Sequence, residues 1–173
     1  MLIETCLPDY HYREFHSIKI VSSSEDVYQQ VINCDLSRSR VIRFLFRMRG
    51  LRQKFSTIND INRLGFVKLD EKPGEEILFG IISNRPTFNG CEIIKSPSEF
   101  IEYRSENIIK AVINLRVNSE SSSNQIVSTE TRVCCGSNKM KKSFRIYWFF
   151  VNPFSRMVRK LMLYQIKSQL KQN

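Results

Sequence analysis

Residues 126 to 170 read IVSTETRVCCGSNKMKKSFRIYWFFVNPFSRMVRKLMLYQIKSQL. The opening run, Ile126 to Val133, is rich in β-branched residues and predicts a strand. After Gly136-Ser137-Asn138 the pattern changes period, and apolar residues recur at helical spacing: Phe144, Trp148, Val151, Phe154, Val158, Met162, Ile166 and Leu170. So long a stripe needs an apolar surface of matching length, and in a chain of 173 residues the preceding strands are what can provide it. The expectation is one α+β domain spanning residues 1–173, a curved antiparallel sheet wrapped around a long C-terminal helix. Pro153 predicts a kink or restart, because proline inside a helix costs about 3 kcal/mol while Asn152-Pro153 suits a cap and first helical position. The stripe keeps its phase across Pro153, so both halves should face the sheet.

The strand before this stretch has the clearest alternation. Ile109, Ala111, Ile113, Leu115 and Val117 alternate with Lys110, Asn114 and Arg116, which predicts a buried odd-numbered face. If the polar loop Ser119 to Asn124 sets Val117 opposite Gln125, then Val127, Thr129, Thr131 and Val133 share that face. Glu130 and Arg132 then point the other way, near Lys110, where an ion pair is the ordinary expectation. A slip of one residue would turn both inward, where they would suit a ligand carboxylate or hydroxyl, so they stand as possible polar anchors.

Further upstream, Phe66 to Asp70 and Glu76 to Ser83 flank Lys72-Pro73-Gly74-Glu75, a type II turn pattern that predicts a hairpin. Cys91 to Lys95 predicts a short edge strand broken by Ser96-Pro97-Ser98, and Phe100 to Tyr103 is ambiguous. A first strand is predicted from Tyr12 to about Val21, on Phe15, Ile18 and Ile20. Two short helices should follow it. The first is capped by Ser22 with Glu25 and closes around Cys34. The second begins at Ser37 or Ser39 and stops at Gly50, with Val41, Ile42, Leu45, Phe46 and Met48 on one arc and Arg40, Arg43 and Arg47 opposite. Thr57 to Asp60 predicts a further capped turn ending at Gly65.

Composition narrows the functional classes. The net charge of +10 favours anionic partners: nucleic acid, acidic lipid headgroups or acidic small molecules. No stretch approaches the roughly 20 apolar residues of a membrane-spanning helix, and the N-terminus lacks the charged and apolar regions of a secretory signal, so a cytoplasmic location is expected. The five cysteines form no Cys-x-x-Cys pair and are expected as free thiols. His11 and His16 have no nucleophile or metal partner nearby in sequence, which points to surface or packing roles. No Gly-rich phosphate loop, His-Glu-x-x-His or Gly-x-Ser-x-Gly pattern is present. No catalytic residue, metal site or cofactor is therefore expected, and the chain is not read as an enzyme.

The order strand, two helices, antiparallel strands, long C-terminal helix is that of the helix-grip fold. Specific runs sharpen this: Gly65-Phe66-Val67-Lys68-Leu69, Pro73-Gly74-Glu75-Glu76, Thr129 to Val133, Phe144-Arg145-Ile146-Tyr147-Trp148 and Ser155-Arg156-Met157-Val158-Arg159. On these the chain, from about Tyr12 to Lys171, resembles an uncharacterised bacterial branch of the SRPBCC or START-like superfamily, which includes the birch-pollen allergen family and polyketide cyclases. Where the branch has a tighter Gly-containing turn, this chain has Ser119 to Asn124. The resemblance implies a hydrophobic cavity between sheet and helix, and it implies no particular activity.

The functional expectation is thus a protein that binds a hydrophobic or amphipathic, lipid-like small molecule. Its cavity would be lined by Ile109, Ala111, Ile113, Leu115, Thr129, Thr131, Val133, Phe144, Trp148, Val151, Val158 and Met162. Arg40, Arg43 and Arg47 would contact an anionic membrane surface. Nucleic-acid binding through the basic stretch 38–54 is the alternative the charge allows, although no reading motif accompanies it. A cyclase-like enzyme is the other, and would need an acid–base group inside the cavity. Oligomeric state is not specified by the sequence.

Overall fold

Among the described residues five antiparallel strands form one sheet: β1 (Tyr12–Val21), β2 (Val67–Lys72), β3 (Glu76–Ser83), β4 (Ile109–Ser119) and β5 (Asn124–Cys135), in the spatial order β1-β5-β4-β3-β2. Among the described residues four α-helices accompany them, α1 (Leu2–Cys6), α2 (Val27–Ile32), α3 (Pro97–Glu102) and α4 (Asn138–Leu170), with a 3-10 helix over Ile58–Leu64. This computed structural model describes residues 1–21, 27–35, 57–88, 91, 92, 94, 96–120 and 124–170. The predicted helix over 37–50, with Arg40, Arg43 and Arg47, lies outside the described residues, as does the predicted cap at Ser22 and Glu25.

The β4–β5 register explains which side chains meet α4. Val117 pairs with Val127 and Ser119 with Gln125, so the hairpin is shorter-looped than the predicted pairing of Val117 with Gln125. The difference is two residues, which preserves facing because strand side chains alternate with period two. The odd-numbered residues of β4 and β5 therefore project towards α4, as read from the sequence. Across the other edge of β5, Ile18 pairs with Val127, His16 with Thr129, Glu14 with Thr131 and Tyr12 with Val133, so the even-numbered residues of β1 face α4 too.

The helix-side core falls into two clusters. Ile20, Val127, Val117, Leu115, Ile77 and Phe79 pack with Leu163, Ile166 and Leu170 of α4, together with α2 and the 3-10 helix. Ile81, Ile109, Ala111, Val133 and Cys135 pack with Met140 and Phe144. The far face of the sheet is also covered: Leu78, Ile82, Val112 and Ile108 pack under Ile3 and Leu7 from the α1 region and Phe100 of α3. Burial on both faces is why every residue of β3 is buried and its sequence shows no apolar–polar alternation.

Local signals decide the connections. Gly74 takes φ 84° in the β2–β3 turn, where Glu75 N–H donates to Lys72 C=O at 2.9 Å, the positive-φ position a type II turn requires. Of the predicted edge strand Cys91–Lys95, residues 93 and 95 lie outside the described residues; Cys91 bridges Ser83 and Glu92 N–H donates to Ile82 C=O at 2.9 Å. Ser96-Pro97 starts α3 instead of merely ending a strand: the Ser96 hydroxyl accepts from Glu99 N–H at 3.1 Å and Pro97 sits in the first turn. Helix α4 runs unbroken through Pro153. The carbonyl that Pro153 leaves without an N–H belongs to Phe149, on the exposed side, where water can serve it. Among the described residues no helix is long and apolar enough to cross a membrane.

Candidate functional site: a polar centre between sheet and helix

The apolar stripe predicted for α4 is interrupted where the helix crosses the middle of the sheet. Its inward arc runs through Phe144, Trp148, Asn152, Ser155, Arg159, Leu163, Ile166 and Leu170, spaced three or four residues apart; Phe144, Leu163, Ile166 and Leu170 are buried and the other four half-buried. Phe154, assigned to the stripe from the sequence, lies about a third of a turn away from that arc and is exposed. Val151 and Val158 flank the arc and are half-buried. The centre of the inward face is thus Asn152, Ser155 and Arg159.

Opposite them the sheet is polar as well. Glu14 and His16 of β1 adjoin Thr131 and Thr129 of β5. Glu14 is 3% exposed, and its Oε1 lies 2.9 Å from His16 Nε2 and 3.6 Å from Arg159 Nε. Arg159 also donates to Thr129 Oγ1 at 3.1 Å and to Ser155 Oγ at 3.4 Å, while Thr129 Oγ1 donates to Asn114 C=O at 2.8 Å. Among the described residues three buried side-chain polar atoms have no hydrogen-bond partner within the protein: Glu14 Oε2, Thr131 Oγ1 and Asn152 Oδ1. Leaving such an atom unserved costs about 1–3 kcal/mol, so each calls for a partner from outside the chain, an ordered water or a donor group of a ligand.

The predicted lining residues divide around this centre. Ile109, Ala111, Val133 and Phe144 are buried at one end, beside Trp148, whose ring stacks on Phe144 at 5.6 Å and meets Tyr12 at 5.8 Å. Leu115 is buried and Ile113 and Met162 partly so at the other end. Thr129 and Thr131 belong to the polar centre itself. His16, expected from the sequence in a surface or packing role, is 14% exposed and adjoins Glu14 in this centre. The strand reading mixed the two faces of β1 by grouping Phe15 with Ile18 and Ile20. Carrying the Ile18–Ile20 phase back by strict twos gives His16 and Glu14, and that was the available signal.

Glu130 and Arg132 require a correction as anchors. Both lie on the far face of the sheet, away from α4, because the register keeps even-numbered β5 residues there. They are buried even so. Glu130 Oε1 accepts from Arg132 Nε and Arg13 Nε at 2.8 Å each, and Oε2 from Arg13 at 3.1 Å. Arg132 continues to Leu7 C=O at 3.2 Å and lies over the Tyr10 ring. Asn114 joins Glu130 N–H to Glu76, and Glu76 accepts from Leu2 N–H at 3.0 Å. This network pins both ends of α1 to the sheet, a structural task. Burial alone would raise the Glu130 carboxyl, but the hydrogen bonds from Arg13 and Arg132 outweigh it and hold it below the ordinary carboxylate value.

A cavity of about 610 Å³ opens on this far face, between residues 5–9 and 101–108, with Lys110, Cys134 and Gly136 in its wall. Lys110 Nζ donates to the carbonyls of Phe100 and Ile101, closing the C-terminal end of α3. Burial, with Arg104 nearby, lowers its ammonium to about 8. Burial also pushes the Cys6 thiol up to about 11 and raises that of Cys134, so neither is a ready nucleophile. Among the described residues no group of three or more His, Cys, Asp or Glu is placed to hold a metal ion.

No family model matches the chain, and no curated protein does. Among solved structures it is similar to a conserved protein from Geobacillus kaustophilus, at 8% identity over 93% of this chain and 96% of that one, with a TM-score of 0.44. A likeness of that size carries no argument about fold or function.

Proposed function

We propose that the protein is a START-like, helix-grip binder of an amphipathic small molecule, taken between the sheet and α4 with its polar end at Glu14, Thr131 and Asn152. The element order and the placement of β1 beside β5 under the C-terminal helix support the fold assignment. The observation that carries the ligand reading is the set of three unpartnered buried atoms. Two of them, a carboxylate oxygen and an amide oxygen, are pure acceptors, and the third is a hydroxyl. Their complement is a hydrogen-bond donor. The head group is therefore a hydroxyl or an amine rather than a carboxylate, since Glu14 already offsets the Arg159 charge. Apolar side chains at both ends of the centre would hold the tail, at about 25 cal/mol per Å² of apolar surface removed from water.

The test compares a long-chain alcohol with a fatty acid of the same chain length, by calorimetry, on wild type and on Thr131→Val. The alcohol is expected to bind roughly tenfold tighter than the acid, and Thr131→Val to weaken the alcohol by about five- to tenfold, the worth of one hydrogen bond. Equal binding of alcohol and acid, or an unaffected variant, refutes the reading.

The Glu14–His16 contact favours a second reading, a cyclase-like enzyme, because a carboxylate 2.9 Å from an imidazole inside the site is the acid–base group such a reaction needs. Glu14→Gln that still binds the alcohol but no longer converts a substrate found by activity screening would support it. Binding without any turnover across such a screen leaves the binder.

A further inference from the structure

The outward face of α4 is apolar where a solvent-facing helix should be polar. Ile146 is 64% exposed, Phe149 75%, Phe150 65% and Tyr164 68%, and Phe154 and Met157 are exposed as well. Ile146, Phe150, Pro153, Met157 and Tyr164 fall on one line along the helix, with Phe149 and Phe154 to either side. Phe149 and Phe150 sit edge to face at 5.4 Å, so the two rings already form one apolar knob. Scattered exposed apolar residues need no explanation, but a continuous stripe of this kind marks a contact surface.

Charge identifies the contact. From Asn138 to Leu170 the helix contains no Asp or Glu, and Lys139, Lys141, Lys142, Arg145, Arg156 and Lys160 are exposed on it. Lys139, Lys141, Lys142 and Arg145 precede the stripe, and Arg156 and Lys160 lie along its Phe149 side, before Tyr164. An aromatic and aliphatic face bordered by lysine and arginine is the pattern of a helix lying in the plane of an anionic bilayer, its rings among the acyl chains and its cations at the headgroups. A second copy of the chain fits less well, because stacking two such helices would bring like charges together. We infer that the protein docks on anionic membranes through the outer face of α4, with Phe149 and Phe150 entering the bilayer. This surface is the reverse side of the helix that carries Asn152 and Arg159, so docking sets the polar centre one helix thickness above the lipid. The inference does not depend on what the centre binds.

Vesicle flotation tests it, using phosphatidylcholine alone and phosphatidylcholine with about 30% phosphatidylglycerol, on the full chain. Wild type is expected to float with the anionic vesicles at least roughly tenfold more than with the neutral ones, and to be released by salt at about 0.5 M. Phe149→Ser/Phe150→Ser should lose about tenfold or more of this binding with an unchanged melting temperature, because both rings are exposed. Equal flotation of the variant overturns the inference, as does equal binding to neutral and anionic vesicles. Sedimentation supplies the remaining arm: a wild-type dimer that the double variant converts to monomer would show that a second copy covers the face, and would also overturn it.

Discussion

Replacing Glu130 by glutamine tests whether the far-face network is the structural clamp described above. The carboxylate is 1% exposed and serves two guanidinium groups, Arg132, itself 7% exposed, and Arg13, which is half in water. Glutamine keeps the shape but leaves Arg132 as a buried cation whose remaining neighbours are Leu7 C=O, the Tyr10 ring and Glu4 at 3.9 Å. Removing one partner of a buried pair costs about 3–5 kcal/mol, whereas an exposed pair is worth about 0–1 kcal/mol. Glu130→Gln is therefore expected to cost about 3 kcal/mol and Arg13→Gln about 1 kcal/mol or less. For a chain of this size the first corresponds to a fall in melting temperature of roughly 6–12 °C. Because the cost is that of an orphaned charge, Glu130→Leu with Arg132→Met should recover most of it. The pH dependence has a definite sign. The folded carboxyl is held below its ordinary 4.5, so its contribution is complete above that value and is lost as pH falls through the lower folded value. The gap between wild type and Glu130→Gln should close in acid. Urea denaturation at neutral pH and near pH 3 measures both. Arg13→Gln costing as much as Glu130→Gln, or the double variant costing more than either single one, would refute the reasoning.

Other outcomes follow from single contacts. A Cβ at Gly136 would stand 2.0 Å from the backbone carbonyl of Ser105, which cannot swing aside as a side chain can, so Gly136→Ala should cost at least about 2 kcal/mol in urea denaturation. Reductively methylated Lys110, followed by carbon NMR, should titrate near 8 while exposed lysines titrate near 10.5. Since the folded state disfavours the charged amine, this residue alone should make the protein more stable as pH rises from about 8 to 10.5, a slope absent from Lys110→Met. The alcohol-over-acid preference and the loss of anionic flotation in the Phe149/Phe150 variant complete the set.

Much of the architecture was legible because it depends on period. The odd-numbered face of β4 and β5, the β2–β3 turn at Gly74 and the extent of α4 each follow from spacing that a short window displays, and an error of two residues in the hairpin register left the facing intact. Ser96-Pro97 was misjudged because the same residues that end a strand also begin a helix. The stripe on α4 was misphased at Phe154 because the reading followed hydrophobicity through a region where the inward residues are polar. Nor could charge pattern separate Glu130, which clamps α1, from Glu14, which faces α4, for both are carboxylates within strands.

Period and composition specify the set of elements and their faces: antiparallel strands with one side turned to a long C-terminal helix, and a strongly basic chain without a recognisable catalytic motif. The tertiary structure alone decided where the polar groups meet. Glu14 and His16 lie near one terminus and Asn152, Ser155 and Arg159 near the other, and it is the pairing of β1 with β5 beneath α4 that gathers them, since burial forces charged groups of distant sequence to find one another. The same packing, by spending Phe144, Leu163 and Ile166 on the sheet, left Phe149 and Phe150 on the outside.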